Sequence, residues 1–359
     1  MNEARRTLGS GLLLAWLIVG SAARFDPPVA ALLLFGFVAG AVACGPHRPK
    51  WDDLAAAALV CLFAALYSAA TGYGPLAIAV LTVELLAFSL LLSNPAAWSR
   101  ERFVQLVLVY ALVAIAWKAT LSDGYLLDRG RFLFNGPIKF ATICLVAYAL
   151  VLFRPRERLL PGLGELAVLA FLALCVVATL SRMPLAALAV ICVLYAAHRR
   201  SLRTLAVMAL AAAVLVWALS NTRYFYVDPE AGGVLRGILR ARYDAWAAAL
   251  EAWRASPVLG APQVPFIERN PVGLKYPHNL LLDIGYHLGL VGVALFAIII
   301  ALRLRRMGAF NLVIFLVGLT SGTIDFWIKA VFVLPDEEPE PDVERSVADP
   351  VARTGGASI

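Results

Sequence analysis

Eleven apolar runs take up most of this chain, and they limit its fold more than any single residue does. They cover about residues 8–23, 28–45, 54–70, 75–93, 103–121, 137–153, 163–181, 184–198, 203–219, 279–302 and 309–334. The 359 residues are 61% hydrophobic and 15% charged, with a mean hydropathy of +0.80. A soluble domain is nearer roughly 45–50% apolar and about 25% charged. The solvent that shapes such a chain is lipid, where every spanning backbone group must be paired internally, by helices or by a closed barrel. The runs are continuous rather than alternating, so the expected fold is all-α, a polytopic transmembrane helical bundle of about 11–12 spans.

The loops between the runs sort the charges. One set of alternate loops holds Arg5, Arg6, Arg48, Lys50, Arg100, Arg102, Arg154, Arg156, Arg158, Arg199, Arg200, Arg203, Arg303, Arg305 and Arg306. The short loops opposite hold only Arg24, Arg129, Arg131, Lys139 and Arg182. The positive-inside rule then places the N-terminus in the cytoplasm and the long polar segment, roughly Ser220 to Pro277, outside. The net charge of +7 is accounted for by topology, and nucleic acid is not an expected partner. Arg5-Arg6, an apolar core and Ser21-Ala22-Ala23 imitate a signal peptide, but ten further runs favour an uncleaved first helix.

Four parts follow: an N-terminal transmembrane bundle (1–219), an outer loop with an amphipathic helix (220–277), C-terminal transmembrane helices (278–334) and an acidic, Pro-rich tail (335–359) of disordered composition. The run at 309–334 carries Asp325 and Lys329, and is either one helix with an i,i+4 ion pair or a hairpin of two short helices. The five cysteines lie in or beside apolar runs with no C-x-x-C spacing, and read as small buried hydrophobes.

Chemistry concentrates where the outer loop returns to an apolar run. His278-Asn279 stands at that junction, a costly place for polar side chains without a task. Upstream, Val234–Ala255 has helical spacing, with Leu235, Ile238, Leu239, Trp246, Leu250 and Trp253 as an apolar stripe lying at the interface. Arg236, Arg240 and Tyr243 share one face, either a solvated basic face or part of a binding surface. Asn279 either caps the next helix or binds a sugar. Of the four histidines, His287 lies nine residues deeper than His278 and reads as a helix–helix contact, while Gly285, Gly289 and Gly292 allow close packing. No D-x-D or H-x-x-E-H cluster is present, so metal-independent chemistry is expected, with no cofactor.

Three separated stretches resemble the O-antigen ligase/polymerase family of bacterial membrane glycosyltransferases. Thr179-Leu180-Ser181-Arg182, with Ala186 and Ala187, is similar to its Thr-x-Ser-Arg element. Arg242-Tyr243-Asp244-Ala245-Trp246, closing with Ser256-Pro257-Val258-Leu259-Gly260, is similar to its Arg-x-x-x-Trp helix and Pro-x-x-Gly end. His278-Asn279 with Leu282, Gly289, Leu290 and Gly292 resembles its His-Asn helix start. Asn135-Gly136-Pro137, Phe140 and Ala141 give a weaker echo. The chain departs at His287, where the family usually has Glu, and at Gly260-Ala261-Pro262, where it has Gly-x-Gly.

The resemblance implies a glycosyltransferase C-like fold with a periplasmic loop. It also implies transfer of a glycan from an undecaprenyl-pyrophosphate carrier to an acceptor hydroxyl, such as a lipid A-core sugar, at the outer face of the inner membrane. His278, Arg182 and Arg242 are then the catalytic set: guanidinium groups suit the departing pyrophosphate, and an imidazole suits the acceptor proton. Asn279, Trp246, Arg236, Arg240 and Lys275 are the expected substrate-binding residues. A repeat-unit polymerase shares this chemistry. A transporter of lipid-linked glycans is the third reading, disfavoured by few acidic residues in the spans and no inverted halves.

Overall fold

The computed structural model describes residues 2–19, 26–44, 51–72, 74–92, 98–121, 136–152, 165–179, 181–199, 234–271, 273–274, 277 and 279–304. Among these residues the chain is helical throughout, with no strand. Eight helices precede the long loop: α1 (Asn2–Val19), α2 (Pro27–Ala43), α3 (Trp51–Ala70), α4 (Pro75–Leu92), α5 (Arg100–Leu121), α6 (Pro137–Leu152), α7 (Glu165–Ala178) and α8 (Arg182–Arg199). Then come α9 (Val234–Ala255), a single turn α10 (Phe266–Arg269) and α11 (Leu280–Leu304). Nine of the eleven apolar runs are therefore helices, within a few residues of the expected ends. The runs at 203–219 and 309–334, and the acidic tail, lie outside the described residues. Arg100–Thr120 and Leu280–Ala301 are each long and apolar enough to cross a membrane.

Proline or an acidic residue opens several of these helices, as helix starts prefer: Pro27, Pro75 and Pro137 stand at or near the first position, and Glu101 lies in the first turn of α5. The first core gathers around α6, whose residues from Phe140 to Leu152 are all buried. Residues of α1, α2, α3, α4, α5, α7, α8 and α11 complete it. A helix apolar on every face belongs in the middle of a bundle.

Polar contacts tie helix ends together and reveal the sense of each helix. The Ser99 amide donates to Ser10 Oγ (3.0 Å), Arg102 pairs with Glu3, and the Cys44 thiol donates to the Arg5 carbonyl (3.8 Å). The starts of α1 and α5 and the end of α2 thus meet at one end of the bundle. At the other, Lys139 Nζ, near the start of α6, donates to the Ile18 carbonyl at 2.8 Å. Midway, Trp16 of α1 donates its indole proton to Glu84 of α4, both fully buried. A buried carboxylate without a donor would be strongly destabilising, so this contact explains how α4 accommodates an acid.

A second, smaller core joins α9, α10 and the first half of α11. It consists of Ala245, Ala249, Ala252, Phe266 and Tyr286, with Ala261, Leu274 and Leu282 against it. Phe266 and Tyr286 meet edge to face, with ring centroids 5.2 Å apart.

Candidate active site

Helix α9 does not pack as its Trp/Leu stripe suggests. The side of α9 that closes on its neighbours is the alanine seam Ala245-Ala249-Ala252, while Trp246, Leu250 and Trp253 flank it half-buried. Small side chains at i, i+4 and i+7 let two backbones approach closely, and the large rings then wrap the sides. The partner is α11. Trp246 meets Pro277, Trp253 covers Gly285, and Val258 meets Gly289, sequence offsets of 31, 32 and 31 residues. A nearly constant offset means that α9 runs alongside α11 in the same direction. The loop helix thus stands against α11, while the stripe side chains Leu235, Ile238 and Leu239 lie outside the described residues.

At the lower end of this pairing, α11 breaks. Gly289 has φ 60° and ψ −152°, a combination essentially closed to other residues. The turn after α9 fills the break. The Leu290 and Val291 amides donate to the Pro257 and Val258 carbonyls at 2.8 and 3.3 Å, and the Ala261 amide donates to the Tyr286 carbonyl at 2.6 Å. Backbone groups released by the kink are satisfied by the turn, as buried backbone requires. Ser256-Pro257-Val258-Leu259-Gly260 is therefore the segment that inserts into α11. Gly289 and Gly260 are where the two backbones come too close for a Cβ, and at Gly285 the Trp253 ring fills the space a Cβ would need.

The upper end holds the residues singled out in the sequence. Trp246 donates its indole proton to the Pro277 carbonyl at 2.8 Å. Arg242 lies one turn before Trp246 on the same face of α9 and is half-buried, with no ion pair among the described residues. Asn279 Oδ1 accepts from the Leu281 and Leu282 amides at 3.1 and 3.2 Å, so Asn279 is the N-cap of α11. His278 and Lys275 lie outside the described residues, as do the side chains of Arg236 and Arg240 on α9 and of Arg182 at the start of α8. Ser181 and Thr179, just before Arg182, are buried. Helix α8 packs on α6 and α7, whereas α11 packs on α3 and α9. The described contacts thus join Trp246 to Pro277, two residues before the Asn279 cap, with Arg242 one turn before Trp246 on α9.

Two further groups escape a reading by sequence alone. Asn270 is buried and braces the segment leading to the junction: its Oδ1 accepts from the Leu274 amide (3.1 Å) and its Nδ2 donates to the Phe266 carbonyl (3.1 Å). An Asn followed by Pro is a local turn signal, but nothing local shows that it is buried. The second is a buried polar cluster between α3 and α11. Tyr67 donates its hydroxyl proton to Asp283 Oδ2, His287 Nε2 lies 3.7 Å from Asp283 Oδ1, and the Tyr67 and His287 rings meet edge-on at 5.4 Å. The helix–helix contact of His287 is made here, with α3. Among the described residues no group of three or more His, Cys, Asp or Glu could hold a metal ion.

The Trp246–Pro277 contact invites a direct measurement. In Trp246→Phe the ring stays but the donor is lost, leaving a buried carbonyl unpaired at a cost of about 1–3 kcal/mol. Pro277 also loses its tether to α9. Turnover is expected to fall ten- to a hundredfold, since displacements near 1 Å can cost about a hundredfold, while circular dichroism still shows a folded protein. Unchanged turnover would mean that the contact does not position the junction.

Residues 167–297, which span α7, α8, α9 and most of α11, match the family model described as O-antigen ligase. Comparison with curated proteins and with solved structures gives no match. The matched segment contains Arg182, Arg242, Trp246, Asn279 and both halves of the broken helix. Through residues 167–297, this chain is similar to the O-antigen ligase family.

Proposed function

We propose that the chain is a polytopic inner-membrane glycosyltransferase that moves a glycan from an undecaprenyl-pyrophosphate carrier to an acceptor hydroxyl on a lipid A-core sugar, at the periplasmic face and without a metal. The observation that carries this reading is the Trp246–Pro277 hydrogen bond. It joins the helix that carries Arg242 to Pro277, the residue before His278 in sequence, within the matched segment, which supports reading Arg242 and His278 as parts of one site. The proposed orientation draws on the helix ends: those that meet around Glu3, Cys44 and Ser99 adjoin basic loops, and the opposite end carries Lys139.

In the reaction, the acceptor oxygen forms a bond to the anomeric carbon as the bond from that carbon to the carrier phosphate breaks. The electron pair of the broken bond stays on the pyrophosphate. Arg242, with Arg182 as second cation, offsets the charge that develops there, an interaction stronger in the transition state than before it. The acceptor proton passes to the His278 imidazole. Asn279, one residue after the base in sequence, caps α11 and so fixes where the helix begins.

The test supplies purified protein with carrier-linked glycan and a lipid A-core acceptor in the presence of EDTA. Glycosylated acceptor and free undecaprenyl pyrophosphate are expected in equal amounts, at the rate seen without EDTA. Absence of both products with either acceptor class would overturn the reading, and loss of turnover in EDTA would remove its metal-free part. Removal of the gene separates ligase from polymerase: long polymer left on the carrier marks a ligase, single units mark a polymerase.

A further inference from the structure

We propose that the turn after α9, residues 255–267, is a wedge that dips into the bilayer beside α11 and sets Val258 and Leu259 against lipid acyl chains. The inference rests on the reading that α11 crosses the membrane, and on none of the glycosyl-transfer chemistry. It starts from length. The apolar stretch Leu280–Ala301 has 22 residues, which as a helix rise roughly 33 Å, against a hydrocarbon core of about 30 Å. The part beyond Gly289 rises only about 18 Å, so the part before Gly289 must lie in hydrocarbon as well. Gly289 is nine residues below Leu280, a descent of roughly 14 Å. The Pro257 and Val258 carbonyls accept from the Leu290 and Val291 amides at 2.8 and 3.3 Å. The turn therefore lies at the depth of the break.

Composition and hydrogen bonding suit that depth. Residues 255–267 carry no charge, Ser256 and Gln263 are their only polar side chains, and Arg254, Glu268 and Arg269 stand at the two ends. Pro257, Pro262 and Pro265 have no N–H to bury unpaired in hydrocarbon. The Ser256, Gly260 and Ala261 amides donate to the Trp253, Ser256 and Tyr286 carbonyls at 3.1, 2.9 and 2.6 Å, and the Trp253 indole donates to the Pro257 carbonyl at 3.1 Å. Val258 and Leu259 nevertheless remain 55% and 68% exposed. Their surface continues that of Leu290 and Val291, themselves 53% and 46% exposed, and apolar side chains exposed on a span meet lipid tails of like polarity. Side chains of α9 lean toward its N-terminus, which carries the exposed Arg254 away from the turn and toward water. At the other end of the pairing Trp246 meets Pro277, so the wedge sets the height of the junction relative to the bilayer.

The test uses the full-length protein with its five cysteines replaced by alanine. Single cysteines introduced by Leu259→Cys, Ile298→Cys and Tyr243→Cys are spin-labelled, and the protein is reconstituted in phosphatidylethanolamine–phosphatidylglycerol vesicles. Ile298 on α11 and Tyr243 on α9 are 50% and 61% exposed, and serve as the hydrocarbon and water references. Power-saturation EPR reads collisions of each label with oxygen, which concentrates in hydrocarbon, and with a water-soluble nickel chelate, which hydrocarbon excludes. The Leu259 label is expected to match Ile298, with nickel collisions at least about tenfold below those at Tyr243 and oxygen collisions above them. Nickel access at Leu259 equal to that at Tyr243, with Ile298 shielded, would overturn the wedge while leaving α11 as a span. Few collisions with either reagent at Leu259 would mean that another segment of this chain or a second copy covers the turn, and would overturn it too. Nickel access at Ile298 would remove the spanning reading, and the wedge with it. Val258→Cys carries the same expectation, so the result does not hang on one variant inserting correctly.

Discussion

Gly289→Ala is expected to lose on the order of 3 kcal/mol of stability or more, and with it the closed α9–α11 unit. Two independent terms add. The backbone at Gly289 has φ 60° and ψ −152°, where strain for an L-residue is about 1–3 kcal/mol. A Cβ there would also lie 2.4 Å from the Val258 carbonyl carbon and oxygen and 2.6 Å from the Gly260 nitrogen. These are backbone atoms that cannot rotate away, so the turn must withdraw. The Leu290, Val291 and Ala261 amides then lose their partners, at about 1 kcal/mol each. Gly72→Ala separates the two terms: its φ is also positive, at 83°, but among the described residues nothing lies within 4 Å of the added atom. Thermal unfolding in detergent should show Gly72→Ala slightly destabilised and Gly289→Ala severely so, with Gly260→Ala close to the latter. If Gly289→Ala melts together with Gly72→Ala, the inserted turn does not hold α11.

The second large effect is catalytic. His278→Ala should lower transfer by about 10²–10⁴-fold, the usual contribution of a positioned general base. Arg242→Ala should lower it by about 10²–10³-fold, the scale for one lost charge-stabilising donor. Neither variant should melt much below the parent. Arg242 makes no ion pair among the described residues, and the cap of α11 belongs to Asn279 rather than to His278. Arg182→Ala belongs in the same series, and a comparable loss there would extend the anion-binding site to the start of α8. Single-turnover rates with saturating carrier-linked glycan make the comparison cleanest. Near-normal product from purified His278→Ala protein would take that imidazole out of the chemistry.

The Gly289 and His278 predictions differ in how they could be reached. His278, Arg242 and Trp246 stand out in the sequence because polar and aromatic residues are conspicuous beside apolar runs. The boundaries of α9 were also legible: the expected helix Val234–Ala255 is the helix observed. What the sequence left ambiguous was the face that α9 buries. A hydrophobicity pattern ranks Trp and Leu above Ala, yet close approach of two backbones favours the smallest side chains, so the seam is alanine. Asn279 shows the opposite case. Its two readings were equal in sequence, and a pair of backbone hydrogen bonds identifies the cap.

Apolar run length, the sorting of basic residues between loops and the helical period of α9 are local properties, written into consecutive residues by the physics of lipid and helix. They sufficed for helices throughout the described residues. The tertiary structure alone decided that α9 stands along α11, that Gly260 and Gly289 admit each other's backbone, and that Tyr67 reaches Asp283 across 216 positions of sequence. Those contacts are non-local. A glycine or a carboxylate carries no mark of its partner until packing brings the two together.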